Sequence, residues 1–192
     1  MKNLLVFDTE TTGIPNWKTP SGGEDQPHIV QLAAHVVDVE SRAIKQSINV
    51  IIKPNGWVIP DDTIELHGIT NEYAHAHGIP EEFAVAVLLE MWKNCDIRVA
   101  HNTTFDNRII RIATKRYMSD EVIESWKAGE YFCTMINSKK IIGGKNPKLS
   151  EAYKHFTGDD LKNAHSAIAD TNACLKVYWG IQDHLKKNLK AA

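Results

Sequence analysis

Cysteine is scarce in this chain, and charge is nearly balanced. Three cysteines, Cys95, Cys133 and Cys174, are odd in number and form no CxxC pair, which argues against a zinc or disulfide framework. Each reads as a small buried apolar residue in a reduced, cytoplasmic setting. Only four apolar residues stand between Asn3 and Asp8, too few for the core of a secretory signal. No run approaches the roughly 20 apolar residues of a membrane span. A net charge of -2 supplies no global attraction for nucleic acid, although a bound divalent metal can provide positive charge locally. Repeats, low-complexity tracts and long linkers are also missing, so one domain is expected over residues 1–192, with its core at about 4–185. The hydrophobic content of 43% and charged content of 24% are those of an ordinary globular core.

The segments that are present alternate in kind. Leu4, Leu5, Val6 and Phe7 read as a buried strand, and residues 14–27, with three prolines and two glycines, as a loop. Two Val/Ile-rich runs, "HIVQLAAHVVDVES" and "AIKQSINVIIKP", joined by a polar turn at Ser41 and Arg42, predict a hairpin. Pro80 opens a helix in which Phe83, Val87, Leu88 and Met91 follow helical spacing. A short strand "IRVA", a helix from about Thr104 with Phe105, Ile109 and Ile112 on one side, and a strand "YFCT" come next. After them a helix reaches the Gly143–Gly144 break, and "LSEAYKHF" is a short helix. The last helix starts near Ser166, with Ile168, Leu175, Tyr178, Trp179 and Leu185 along its apolar stripe. The order predicts an α/β fold: a mixed five-stranded sheet, an antiparallel three-strand meander plus two parallel strands, flanked by helices.

The first strand ends on "FDTETTG". Side chains two apart on a strand share a face, which puts Asp8 and Glu10 about 7 Å apart along it. Like charges that close repel unless one is protonated or a cation lies between them. Asp106 falls in the first turn of the helix after "IRVA", where a helix N-terminus favours a carboxylate. His165 and Asp170 lie at the entry to the last helix. Four separated oxygen donors suit Mg²⁺ or Mn²⁺, and two such ions hold the attacking and leaving oxygens of a phosphodiester. His165, of a residue type that titrates near neutrality, has the role of general base. His155, which precedes Asp159 by four residues, falls in a polar turn with Asp159 and Asp160, which are read as solvated, as are Lys139, Lys140, Lys145, Lys148 and Lys162. His101 is read as structural, Trp57 and Trp126 as packing residues, and Trp17 either as a base-stacking residue or as a pin for the loop.

"FDTETTG", "HNTTFD" and "HSAIAD" resemble the three motifs of the DEDDh (DnaQ-like) superfamily of 3'→5' exonucleases, which includes the proofreading epsilon subunit of bacterial DNA polymerase III. "ELHGIT", "FCT" and "KLSEAYKHF" are similar to intervening signatures of that family. The resemblance runs from Leu4 to about Leu185. It implies an RNase H-like fold, Asp8, Glu10, Asp106 and Asp170 as ligands of two Mg²⁺ or Mn²⁺ ions, and His165 as general base. It further implies that Thr11 and Thr12 hold the 3' nucleotide, that His67 and Phe105 line its pocket, and that Asn102 positions the strand.

The expected partner is the 3' end of single-stranded nucleic acid, DNA before RNA, with a polymerase or other replication or repair protein as a further one. An RNA-trimming exoribonuclease is the nearest alternative, and a non-catalytic single-strand-binding or polymerase-tethering module is the alternative of a different class. The long 14–27 loop and the short segment after Leu185 lead to the expectation of a free-standing enzyme.

Overall fold

The computed structural model describes residues 2–191. Its elements are β1 (Asn3–Thr11), β2 (Ile29–Asp38), β3 (Ile44–Ile51), α1 (Asp61–His67), α2 (Asn71–His77), α3 (Glu81–Trp92) and β4 (Ile97–Ala100), followed by α4 (Thr103–Tyr117), α5 (Asp120–Ala128), β5 (Tyr131–Cys133), α6 (Thr134–Ile142), α7 (Leu149–Thr157) and α8 (Ala167–Ala191). The strands form one sheet in the order β3-β2-β1-β4-β5. β1 and β3 run antiparallel to β2, while β4 and β5 are parallel to β1 and to each other. The predicted hairpin, meander and parallel pair are all present.

β1 is central in the sheet and helices pack on both of its faces, so its alternation sorts the core. Leu5 and Phe7 join the cluster that includes Leu88 of α3 and Ile109 of α4. Leu4 and Val6 face the other way and pack with Cys174, Leu175 and Tyr178 of α8. Burying each such side chain contributes about 1.5–3 kcal/mol. Trp126 is buried in the first cluster with its ring 5.7 Å from Phe7 and 5.0 Å from Trp92. Trp57 stacks on His28 at 4.5 Å, so both tryptophans are packing residues as read from the sequence.

Three details differ from the sequence reading. In α3 the buried residues are Glu81, Ala84, Val85, Leu88, Leu89 and Met91, and Phe83 and Val87 are 60% and 44% exposed. The helix is apolar almost all round, so spacing alone did not select the side that packs. Leu185 is 45% exposed, because the apolar stripe of α8 ends against α7 at Ile181. The helices α1 and α2, of seven residues each, carry too few turns to show a period, and α5 is not singled out by the sequence reading.

Glu81 opens the buried face of α3 as a charge. Its carboxylate accepts from Ile29 N at 2.8 Å and Tyr117 Oη at 2.9 Å, and it contacts His28 Nδ1 at 2.9 Å and Arg116 at 3.4 Å. Burial opposes its ionisation, but His28, the Ile29 amide and Arg116 outweigh it and hold its pKa below the ordinary value. Its contribution is therefore present above the ordinary carboxylate range and is lost as pH falls through the lowered native value. Glu81→Ala is expected to destabilise by about 3–5 kcal/mol, seen as a lower urea midpoint with an unchanged slope.

Candidate active site

The alternation that packs Leu4 and Val6 against α8 carries on into Asp8 and Glu10. They therefore leave the end of β1 on the α8 side, and the pairing with β2 shifts by a residue between Glu10 and Thr11. Asp170 stands in the first turn of α8, where the helix N-terminus favours an anion. Carboxylate oxygens of Asp8, Glu10 and Asp170 lie within 4.8 Å of one another. Asp106, in the first turn of α4, approaches from the other face. Its Oδ1 accepts from the Thr9 amide at 3.2 Å and the Thr9 hydroxyl at 2.9 Å, which fixes it beside the β1 terminus.

Glu10, Asp106 and Asp170 are all buried, and the four acids disturb one another. Burial, then the charges of Asp106, Asp170 and Glu10, push Asp8 well above the usual carboxylate range. Glu10 is raised to about 8 by burial and by Asp170 and Asp106. Asp106 is raised to about 7, chiefly by burial and against its bonds from Thr9. Asp170 is raised by burial, although the His165 amide and charge oppose the shift. Among the described residues no lysine or arginine pairs with these acids. A divalent cation would reverse the balance and hold them ionised. The donor set fits one: it is all oxygen, which hard cations prefer, and Asp170 Oδ1 is buried with no hydrogen-bond partner.

His165 is exposed and has a left-handed backbone, φ 67°. Its amide donates to Asp170 Oδ2 at 3.0 Å. A non-glycine residue there costs about 1–2 kcal/mol, and such strain concentrates at functional sites. Together with Asn102, Lys148 and Asp170 it lines a cleft of about 500 Å³. Asn102, also left-handed at φ 68°, precedes α4 and makes no side-chain capping bond.

His67 ends α1 just before Gly68, whose φ of 74° terminates the helix. Its Nδ1 accepts from the Ile69 amide at 3.1 Å. Nε2 therefore carries the proton in the neutral ring, and it is buried without an acceptor. Burial and the charge of His165 both lower its pKa.

Thr11 Oγ1 donates to Gly13 O at 2.7 Å, and Thr12 Oγ1 accepts from the His28 amide at 2.9 Å. Both thus order the turn that leaves β1. Phe105 is half-buried against the core. His101 engages Thr134 Oγ1 at 2.9 Å and Pro147 O at 3.0 Å, as a structural histidine would. His155, Asp159 and Asp160 are exposed, as are the five lysines singled out from the sequence, though Lys148 borders the cleft.

Two positioning residues escaped sequence reasoning. Thr9 anchors Asp106. Gln31, paired with Glu10 across the sheet, accepts from the Ala167 amide at 3.0 Å and so fixes the start of α8. A glutamine inside the apolar run of β2 was its only signal.

Fold and site together define an α/β protein with an acidic, oxygen-donor centre at the carboxyl end of its central strand. Residues 5–178 match the family model described as RNase_T exonuclease. The chain belongs to this exonuclease family and is a nuclease. It is 29% identical to DNA polymerase III subunit epsilon of Buchnera aphidicola over 96% of this chain and 76% of that protein. It is 24% identical to ribonuclease T of Actinobacillus pleuropneumoniae over 95% of this chain and 84% of that one. E. coli Exonuclease I in complex with a dT13 oligonucleotide shares the fold, with a TM-score of 0.72 and 20% identity over 98% of this chain. This chain spans 43% of that one. A zinc-bound form of the Exonuclease I–ssDNA complex matches at a TM-score of 0.73 and 21% identity, over 100% of this chain and 42% of that one. Among the described residues no helix is long and apolar enough to cross a membrane.

Proposed function

We propose that the chain is a single-domain 3'→5' exonuclease that removes terminal nucleotides from single-stranded nucleic acid, DNA before RNA. The observation that carries this reading is the cluster of Asp8, Glu10 and Asp170 carboxylates within 4.8 Å of one another, with Asp106 alongside. Two Mg²⁺ or Mn²⁺ ions, when bound, would supply Lewis-acid stabilisation of the charge that develops on the phosphodiester.

The chain's own residues do the rest. Asp8, Glu10, Asp106 and Asp170 hold the ions. His165 takes the proton of the attacking water on a ring nitrogen, and the carboxylate of Asp170, bonded to its amide, stabilises the imidazolium. His67 Nε2–H, lacking an acceptor in the protein, donates to the terminal nucleotide. Asn102 borders the path of the strand, Phe105 packs beside the terminal sugar or base, and the turn ordered by Thr11 and Thr12 presents backbone amides to the 3' end. A polymerase or other replication or repair protein is the partner this reading adds, by analogy with the epsilon relative.

His165→Ala is expected to lower turnover about 10²–10⁴-fold, the usual range for a lost general base, while Mn²⁺ still raises the melting temperature as in the unaltered protein. Equal loss of both would reduce His165 to a structural residue. Direction and polymer are tested with one sequence made as DNA and as RNA, labelled at either end. Shortening ladders from a 5' label with mononucleotide release from a 3' label, faster on DNA, are the expected result. Mononucleotides from the 5' end would refute it, and faster RNA cleavage would make it an exoribonuclease.

A further inference from the structure

A second cleft, of about 320 Å³, opens on the flank of α4. Thr104, Arg108 and Arg111, at helical spacing, form one wall; Trp17 of the 14–27 loop, Lys127 and Tyr131 border it, and Arg98 lies in it. No acidic side chain lines it.

Arg98 is 1% exposed, its guanidinium carbon 4.0 Å from the centre of the Trp126 ring. It donates through Nη2 to Gly129 O at 2.6 Å, while Nε and Nη1 are buried with no acceptor. Among the described residues no carboxylate pairs with Arg98, Arg108 or Arg111. Lys127 bonds Glu124 at 2.8 Å.

A purely structural reading accounts for part of this. Arg108 donates to Thr19 O at 2.6 Å, Arg111 to Ser21 Oγ at 2.9 Å, and Arg98 closes the carboxyl end of α5. It leaves two donors of Arg98 and the buried Nε of Arg108 unanswered. A buried cation with neither counter-ion nor full hydrogen bonding is costly, and an anion in the cleft would remove that cost. Trp17 and Tyr131 are 53% and 57% exposed at its rim, and exposed rings beside cations suit a stacked base.

We propose that this cleft is a second nucleotide site, separate from the carboxylate centre, binding a nucleotide phosphate over Arg98 with its base against Trp17 or Tyr131. The inference rests on the nuclease reading for its choice of ligand. Arg111 stands about 7.5 Å along α4 from Asp106 and about 140° around its axis, so a strand ending at the carboxylates would have to pass round α4 to reach the cleft. The phosphate belongs either to that strand or to a released mononucleotide.

The test is run in EDTA, so that binding is read without cleavage. Indole N–H signals of Trp17 and Trp126 are followed by NMR while inorganic phosphate, dTMP or a short oligothymidylate is added. Both signals are expected to move with dTMP or the oligonucleotide, and less with phosphate alone. The Trp17→Ala/Arg111→Gln protein is expected to bind the oligonucleotide about tenfold more weakly, with its salt slope reduced by about 0.7. Its rate on a dinucleotide, too short to span both sites, should not change. Signals that move with dTMP, with oligonucleotide affinity unaltered in the variant, assign the site to the released nucleotide. Unmoved indole signals in the wild-type protein overturn the site even if metal-dependent cleavage is present. Moving signals in EDTA, with no cleavage of the same oligonucleotide in a parallel sample containing Mn²⁺, would keep the site and refute the exonuclease proposal.

Discussion

Asp8→Ala protein is expected to lose cleavage by roughly a thousandfold or more, since groups that act as one unit lose nearly the whole effect when one is removed. The same substitution should leave the metal-free fold intact or stabilise it. Asp8 is held among three other acids, and burial together with their charges raises its pKa. Removing one of these like charges relieves the other three, so the melting temperature in EDTA should equal or exceed that of the unaltered protein by a few degrees. Gain in stability with loss of activity is the signature of a site strained for function. An inactive and destabilised Asp8→Ala protein would make Asp8 a structural group, and a fully active one would remove it from the site.

The second large effect is the response of stability to metal and pH. Glu10 is raised to about 8 and Asp106 to about 7, and Asp8 and Asp170 are also raised. Between the ordinary carboxylate range and these values, the native state retains protons that the unfolded chain has released. Stability from these groups therefore falls as pH rises. A cation binds the ionised acids, so its stabilising effect has the opposite slope and grows with pH. Saturating Mg²⁺ or Mn²⁺, at about a hundred times its dissociation constant, adds about 2.7 kcal/mol, or about 5–10 °C in a chain of this size. At one fixed metal concentration the shift should be small near about pH 5 and still rising through about pH 8, where Glu10 is only partly ionised, and Asp8→Ala should abolish most of it. A shift independent of pH would place the metal elsewhere.

What could be read from the sequence was what neighbours in the chain determine. The apolar run 4–7 followed by acids two apart declared both a buried strand and that its two charges emerge together on one face. Asp106 and Asp170 were readable because helix entries are marked by local composition and because their motifs keep a fixed order. The side of α3 that packs was not readable, since Phe83 and Val87 are as apolar as Val85 and Leu88 and only the position of the sheet decides between them. Thr9, Gln31 and Arg98 act through partners 97, 136 and 31 residues away. Their roles depend on which strands lie side by side. No local pattern states that.

The most direct measurement follows a 5'-labelled single strand incubated with the protein in Mn²⁺ and in EDTA. A ladder that shortens from the 3' end in Mn²⁺, and is absent in EDTA, is the result expected if the four carboxylates hold the metal that drives cleavage. Cleavage undiminished by EDTA would contradict it and would leave Asp8, Glu10, Asp106 and Asp170 without the role assigned to them.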